Sequence, residues 1–560
     1  MGKNAPSAAG PTRRTVLVTA LTAAAGVATA RLLGLRDLGR VASALNVAAT
    51  DPMTDAMGGD EMDMGTTIMD PTDPMEMSSP EPMPEAPPAA APRAAPAVAP
   101  TRAPITRQEL VTGIMPPDLA TGLDWVAPLD RESAKVGHLL RRTTIGVSAA
   151  ELDRAMTEGY QKTVARLVDT PVAEPPALPS AENATNAAYV KLGDLQTWWV
   201  DWMVKSPTPF AEALTLFWHG HFTSDYRKVG LGSPFMYWQN LTWRRMSLGK
   251  LGDMLFQATT DPAMLRYLDL LTSTGKSPNE NFAREFLELF TMGVGNYIED
   301  DVKAAAKALA GWRQPQTQAM VDARLAALAK QNKPLPSNPP KADPVKTGVF
   351  DPTRAYTGTL TMLGRTGPFD TKGVIQRVLE QDATATFITR KLLTYFATPA
   401  PSPSWVARLS GSYRRSGYDT RALVRDMLLS PEFTAPETYR ALVKSPTEYM
   451  VSAAKAVGSQ TLTRTILANA NGLGQTLFDP PSVGGWGDNE YWISSNTMLQ
   501  RANFITTALG QTKTLPLTTG ADQRLLEGVL GPRTAAELAA TKDERKRWYV
   551  LLASPEFNLK

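Results

Sequence analysis

Apolar positions along the chain recur with the period of α-helices. Leu192, Leu195, Trp198, Trp199, Trp202 and Met203 fall on one helical face. After Ser206-Pro207 the pattern resumes with Phe210, Leu214, Phe217 and Trp218. A third run, Phe282, Ala283, Phe286, Leu287, Leu289 and Phe290, follows Ser277-Pro278-Asn279-Glu280 and stops at Gly293. Those four residues have the composition of a capping box with proline at the first helical position. Glu299-Asp300-Asp301 opens the next helix with acids suited to its positive end, and Gly311 follows it. Alternating β-branched runs are scarce. The pattern predicts an all-α fold, a large multi-helix single domain over 105–560. A Pro/Lys-rich insertion at about 314–351 carries a short helix near Val321 to Gln331. The string Leu428-Leu429-Ser430-Pro431-Glu432-Phe433 is echoed by Leu551-Leu552-Ala553-Ser554-Pro555-Glu556-Phe557. Each copy ends an amphipathic stretch, and two short matches do not make a repeat architecture.

The first hundred residues break this pattern. Arg13-Arg14 precede an uncharged apolar stretch from Val16 to Ala30, the layout of a twin-arginine signal peptide over 1–30. Cleavage is expected after Ala30 or Ala44. The stretch is short for a membrane span, which takes roughly 17–25 residues. No transmembrane span is expected in the mature chain. The expected location is the periplasm, the cell wall or the extracellular space. Residues 31–104 are expected to be a disordered linker, because Asp51 to Pro100 holds 11 prolines and almost no core-forming residues. Asp51 to Glu85 adds ten acids and eight methionines, among them the pairs Met62/Met64 and Met75/Met77. Thioethers suit Cu(I), so metal handling by this tail competes with a spacer role.

Composition narrows the chemistry. With no cysteine, disulfides, thiolate metal sites and cysteine nucleophiles are excluded. A net charge of +3 over 560 residues argues against nucleic acid as a partner. The three histidines are His138, His219 and His221. His219 and His221 are the metal candidates, with Asp225 as the nearest acid and Zn, Fe or Mn as the fitting divalent metal. Residues two apart point to opposite sides of a helix, so convergence requires Gly220 to break it. The competing assignment makes His221 a hydrogen-bonded core residue and His219 a surface or capping residue. Glu285 and Glu288 are candidate catalytic carboxylates, although Arg284 and Glu288 also make an ordinary i,i+4 ion pair. Six of the twelve tryptophans lie between Trp198 and Trp243, in positions fit for core packing or for stacking on sugars.

Several strings together resemble the bacterial family called domain of unknown function 1800. They include Gly137 to Gly146, Phe217-Trp218-His219-Gly220-His221-Phe222, Asp261 to Asp269, Asn279 to Phe290, Gly311-Trp312 and Pro480-Pro481-Ser482-Val483-Gly484-Gly485-Trp486. The resemblance spans about His138 to Phe557. It implies an exported, helical protein, with no established activity to carry over. It also implies a possible partner, an exported sulfatase-like protein encoded nearby. Where the family is expected to carry a His-Asp pair and a lysine, this chain has Ala355, Tyr356 and Leu360. Any site built on those residues is altered here.

Three functions follow as expectations. The first is a cell-envelope binding or accessory protein. The second is a metal-dependent hydrolase of a surface polymer. The third is copper handling through the methionine-rich tail.

Overall fold

The two tryptophan-rich helices form where their apolar faces place them, at Leu192–Lys205 and Pro209–His221. Pro207 lies in the break between them, and Pro209 occupies the first turn of the second, where no intrahelical donor is needed. In this computed structural model, residues 126–182, 190–230, 234–334 and 336–560 are described. The expected signal segment, its cleavage positions and the linker lie outside them. Among the described residues no helix is long and apolar enough to cross a membrane.

The fold is helical, and Pro209–His221 runs through its centre with every residue except Gly220 buried. A helix that is apolar nearly all round has to be enclosed by others. Phe235–Met246 packs along it. Asp382–Phe396 meets it through ring contacts of Phe210 with Phe396 and of Phe217 with Tyr395. Its one carboxylate, Glu212, is 1% exposed and fully partnered. Arg244 donates to it from Nε at 2.6 Å and Nη2 at 3.1 Å, and the indole N–H groups of Trp199 and Trp202 donate at 3.2 and 2.9 Å. Burial of such a charge is tolerable only with this degree of satisfaction.

Two small antiparallel ladders interrupt the helices. Trp312–Arg313 pairs with Val349–Phe350, closing the base of the insertion that carries the helix Gln318–Lys330. Leu360–Met362 pairs with Arg365–Gly367. The echoed strings serve as equivalent helix ends: Thr420–Leu429 and Glu544–Ala553 both stop at a serine, and Phe433 and Phe557 are both buried beyond it.

One sequence expectation is corrected. The capping box at Ser277 to Glu280 does not form. The helix starts later, at Asn281–Glu285, with Glu280 already in helical backbone. Ser277 is held instead in a turn, its N–H donating to Thr274 Oγ1 at 3.0 Å, and Asn279 Oδ1 accepts the Asn281 N–H at 2.9 Å. The continuation, Phe286–Thr291, is π-helical, with Thr291 Oγ1 donating to Phe286 O at 2.6 Å. Glu280 is left with an exposed ion pair to Arg284 at 3.4 Å. Glu280→Ala is therefore expected to cost less than about 1 kcal/mol in chemical denaturation, the scale of a surface pair. A loss beyond about 2 kcal/mol would mean that Glu280 does cap the helix.

Candidate functional site

A cavity of about 230 Å³ opens where four segments meet. They are the C-terminal turn of Pro209–His221, the helix Asp382–Phe396, the start of Pro446–Ala456 and the loop 484–492. The loop is fixed by Gly485, whose φ of +82° disfavours any side chain. A Cβ there would sit 2.5 Å from Gly220 O, so loop backbone rests directly on helix backbone. Thr223 Oγ1 donates to Val483 O at 2.5 Å and ties down the same loop. This packing turns Trp486, Asp488 and Trp492 toward the helices. The start of Pro446–Ala456 is set by a true capping box: Glu448 accepts the Ser445 N–H at 2.8 Å while Ser445 Oγ accepts the Glu448 N–H at 3.4 Å. Glu448 also forms a buried ion pair with Lys560.

Lys391 lines the cavity from Asp382–Phe396, with Nζ 3.2 Å from His221 Nδ1. Burial lowers its ammonium to about 8, and the Asp488 carboxylate pulls the other way. Asp488 reaches solvent at the rim. Enclosure by the walls raises its carboxyl, while Lys560 and Lys391 draw it back down. Burial also drives the Tyr395 hydroxyl well above its ordinary value. Arg390 stands exposed at the mouth and makes no ion pair among the described residues. Gln475 accepts the Thr447 N–H through Oε1 at 2.9 Å, and Asn489 accepts the Val443 N–H through Oδ1 at 3.1 Å. Both amide NH₂ groups are left with no protein acceptor among the described residues.

The metal geometry expected of His219 and His221 is not present. Gly220 continues the helix, so the two rings diverge. His219 Nε2 accepts the Phe478 N–H at 3.1 Å, and the ring is enclosed by Trp199, Phe478 and Trp486. Burial lowers it to about 3. His221 Nε2 donates to Phe290 O at 3.1 Å, which caps the end of the π-helical turn. Burial, and then the Lys391 charge, hold His221 well below 6.5. Asp225 caps the short helix Tyr226–Val229 by accepting the Arg227 N–H at 2.7 Å. Among the described residues no group of three or more His, Asp or Glu side chains is placed to hold a metal ion.

The other candidates also lie elsewhere. Glu288 accepts from the Tyr297 hydroxyl. Glu285 is half-buried beside it, its carboxyl raised by burial and then by the Glu288 charge. Arg284 pairs with Glu299 at 2.7 Å as well as with Glu280, and makes no pair with Glu288. Tyr356 packs under Lys307, and neither it nor Ala355 or Leu360 lines the cavity. Of the tryptophan group, Trp199, Trp218 and Trp243 are core residues. The tryptophans that reach the cavity are Trp486 and Trp492. Lys391, Arg390 and Tyr395 sit in an ordinary amphipathic helix with no local motif to single them out.

A model of the family described as Protein of unknown function (DUF1800) matches residues 138–559. No curated protein and no solved structure matches the chain. The matched span takes in every cavity-lining residue except Lys560, and the chain belongs to the DUF1800 family.

Proposed function

We propose that this is a cell-envelope binding protein whose cavity takes a small anionic sugar, such as a uronic acid or the end of a uronate-bearing chain. The observation that supports this is the meeting of aromatic faces with an excess of positive charge in one cavity. Tyr395, Trp486 and Trp492 line it with aromatic rings, Tyr395 lying under the Lys560 ammonium, and Gln475 and Asn489 offer amide donors for hydroxyl groups. The Lys560–Glu448 pair cancels internally. Arg390 and Lys391 then face Asp488, one positive charge in excess when Lys391 is protonated. A guanidinium at the mouth matches a carboxylate in shape and charge. The volume lies below the roughly 300–1,000 Å³ of drug-sized pockets, which favours a small ligand. Export by the twin-arginine segment, and cooperation with an exported sulfatase-like protein, belong to the same proposal.

Gly220 supplies a clean obstruction. It lines the cavity, and a Cβ built on it meets nothing within 4 Å. Gly220→Leu is expected to fill the space without disturbing the helix, since replacing an interior glycine recovers about 0.5–1 kcal/mol. Tryptophan fluorescence titrations should show saturable binding of glucuronate or galacturonate oligosaccharides. Their neutral counterparts should bind about tenfold or more weakly, the value of one charge-assisted contact. Gly220→Leu should abolish the response while keeping the melting temperature. The proposal fails if no uronate saturates the signal, or if Gly220→Leu binds like the parent.

A further inference from the structure

We propose that Lys391 is a nucleophilic amine that captures the carbonyl group of an anionic aldehyde or ketone in the cavity as an imine. This rests on the cavity being the anionic-sugar site proposed above, and it adds a covalent step to it. An open-chain uronic acid has both groups required: a carboxylate for Arg390 and a carbonyl for Lys391.

The geometry is specific. His221 donates from Nε2 to Phe290 O, which fixes its tautomer and leaves Nδ1 as an acceptor. Lys391 Nζ lies 3.2 Å from that lone pair, so one amine hydrogen is engaged and the long side chain is restrained. Its ammonium end also rests over the Phe387 ring, 5.1 Å from the centroid. Lys391 has no carboxylate ion pair among the described residues, in contrast to Lys560 beside it. The charged and titratable groups facing it are His221, Arg390, Tyr395, Glu448, Asp488 and Lys560. Burial brings the ammonium to about 8, so a useful fraction is free amine at neutral pH.

The chemistry balances without a further reactant. The Lys391 nitrogen forms a bond to the carbonyl carbon, and the carbonyl oxygen takes up one amine proton to become a hydroxyl group. That hydroxyl leaves as water with the second amine proton, and the C–N double bond closes.

The test is reductive trapping on the full chain. Glyoxylate and cyanoborohydride are supplied at neutral pH, and each lysine is followed by peptide mass spectrometry as its carboxymethyl adduct. Lys391 should be labelled about tenfold or more faster than the exposed Lys162 and Lys250, because desolvation frees its amine. Propionaldehyde run in parallel separates the two proposals. Fast labelling of Lys391 by both aldehydes supports the amine and counts against the anionic site. Lys391→Arg should lose the fast adduct while the slow labelling of Lys162 and Lys250 stays as in the parent. If Lys391 is labelled no faster than Lys162 with either aldehyde, the imine proposal is overturned, whatever the uronate titration shows.

Discussion

Stability is expected to fall as pH drops below 6.5, the slope steepening toward about 3 kcal/mol per pH unit once the unfolded-state histidines are protonated, until the folded-state histidines begin to titrate. All three histidines are buried and held neutral. His219 is lowered to about 3, and His138 and His221 lie well below 6.5, burial being the first cause in each. For His138 the charges of Arg142 and Arg141 add to burial, and its Nε2 hydrogen-bonds Phe433 O at 3.0 Å. A histidine with a depressed folded value binds its proton more readily in the unfolded chain. Its contribution is therefore complete above 6.5 and is lost as pH falls toward the folded value. Each such group is worth about 1.4 kcal/mol per pH unit in that window. Asp261 opposes them. Burial raises its carboxyl to about 7, so the folded state holds that proton and gains stability as pH drops through the same range. Three histidines against one aspartate leave two net protons favouring the unfolded chain. Urea or guanidinium midpoints measured at pH 7, 6 and 5 would show the slope. A flat profile would mean that the histidines are not buried in neutral form.

Glu212→Ala is expected to cost about 3–5 kcal/mol, the scale for breaking a buried ion pair by removing one partner. Arg244 is 0% exposed and would keep its charge with no carboxylate to meet it. The indole N–H groups of Trp199 and Trp202 would lose their acceptor as well. Removing both charges, as in Glu212→Ala with Arg244→Met, should recover much of the loss, because no bare charge remains inside. Thermal and chemical denaturation of the single and double variants would check this. A single variant within about 1 kcal/mol of the parent would contradict the buried network.

The helices were legible because their information is local. The faces through Leu192–Lys205 and Pro209–His221 show in residue spacing alone. The start at Glu299 was legible for the same reason, with Asp301 accepting the Ile298 N–H at 3.0 Å. Local signals misled where tertiary contacts competed. Ser277 had the composition of a cap, but Thr274 Oγ1 takes the Ser277 N–H that a capping box would offer to Glu280, and Ser273 Oγ accepts the neighbouring Asn279 N–H. Gly220 looked like a helix end. It remains helical because its open side faces the cavity and nothing forces the chain to turn. The cavity itself was not legible. It gathers Gly220, Lys391, Glu448, Trp486 and Lys560 from distant parts of the chain. The Gly-Gly-Trp string marked one wall as notable, but no spacing rule reveals what that wall faces. The buried Glu212–Arg244 pair was hidden similarly, since each residue alone resembles a surface charge on an amphipathic helix.

The most direct test of the account is a crystal structure of the protein grown with a galacturonate or glucuronate oligosaccharide. Sugar density is expected behind the Gly485-Trp486 loop, with the carboxylate on Arg390 and a sugar ring against Trp486. An empty cavity with the sugar bound at another surface would contradict it.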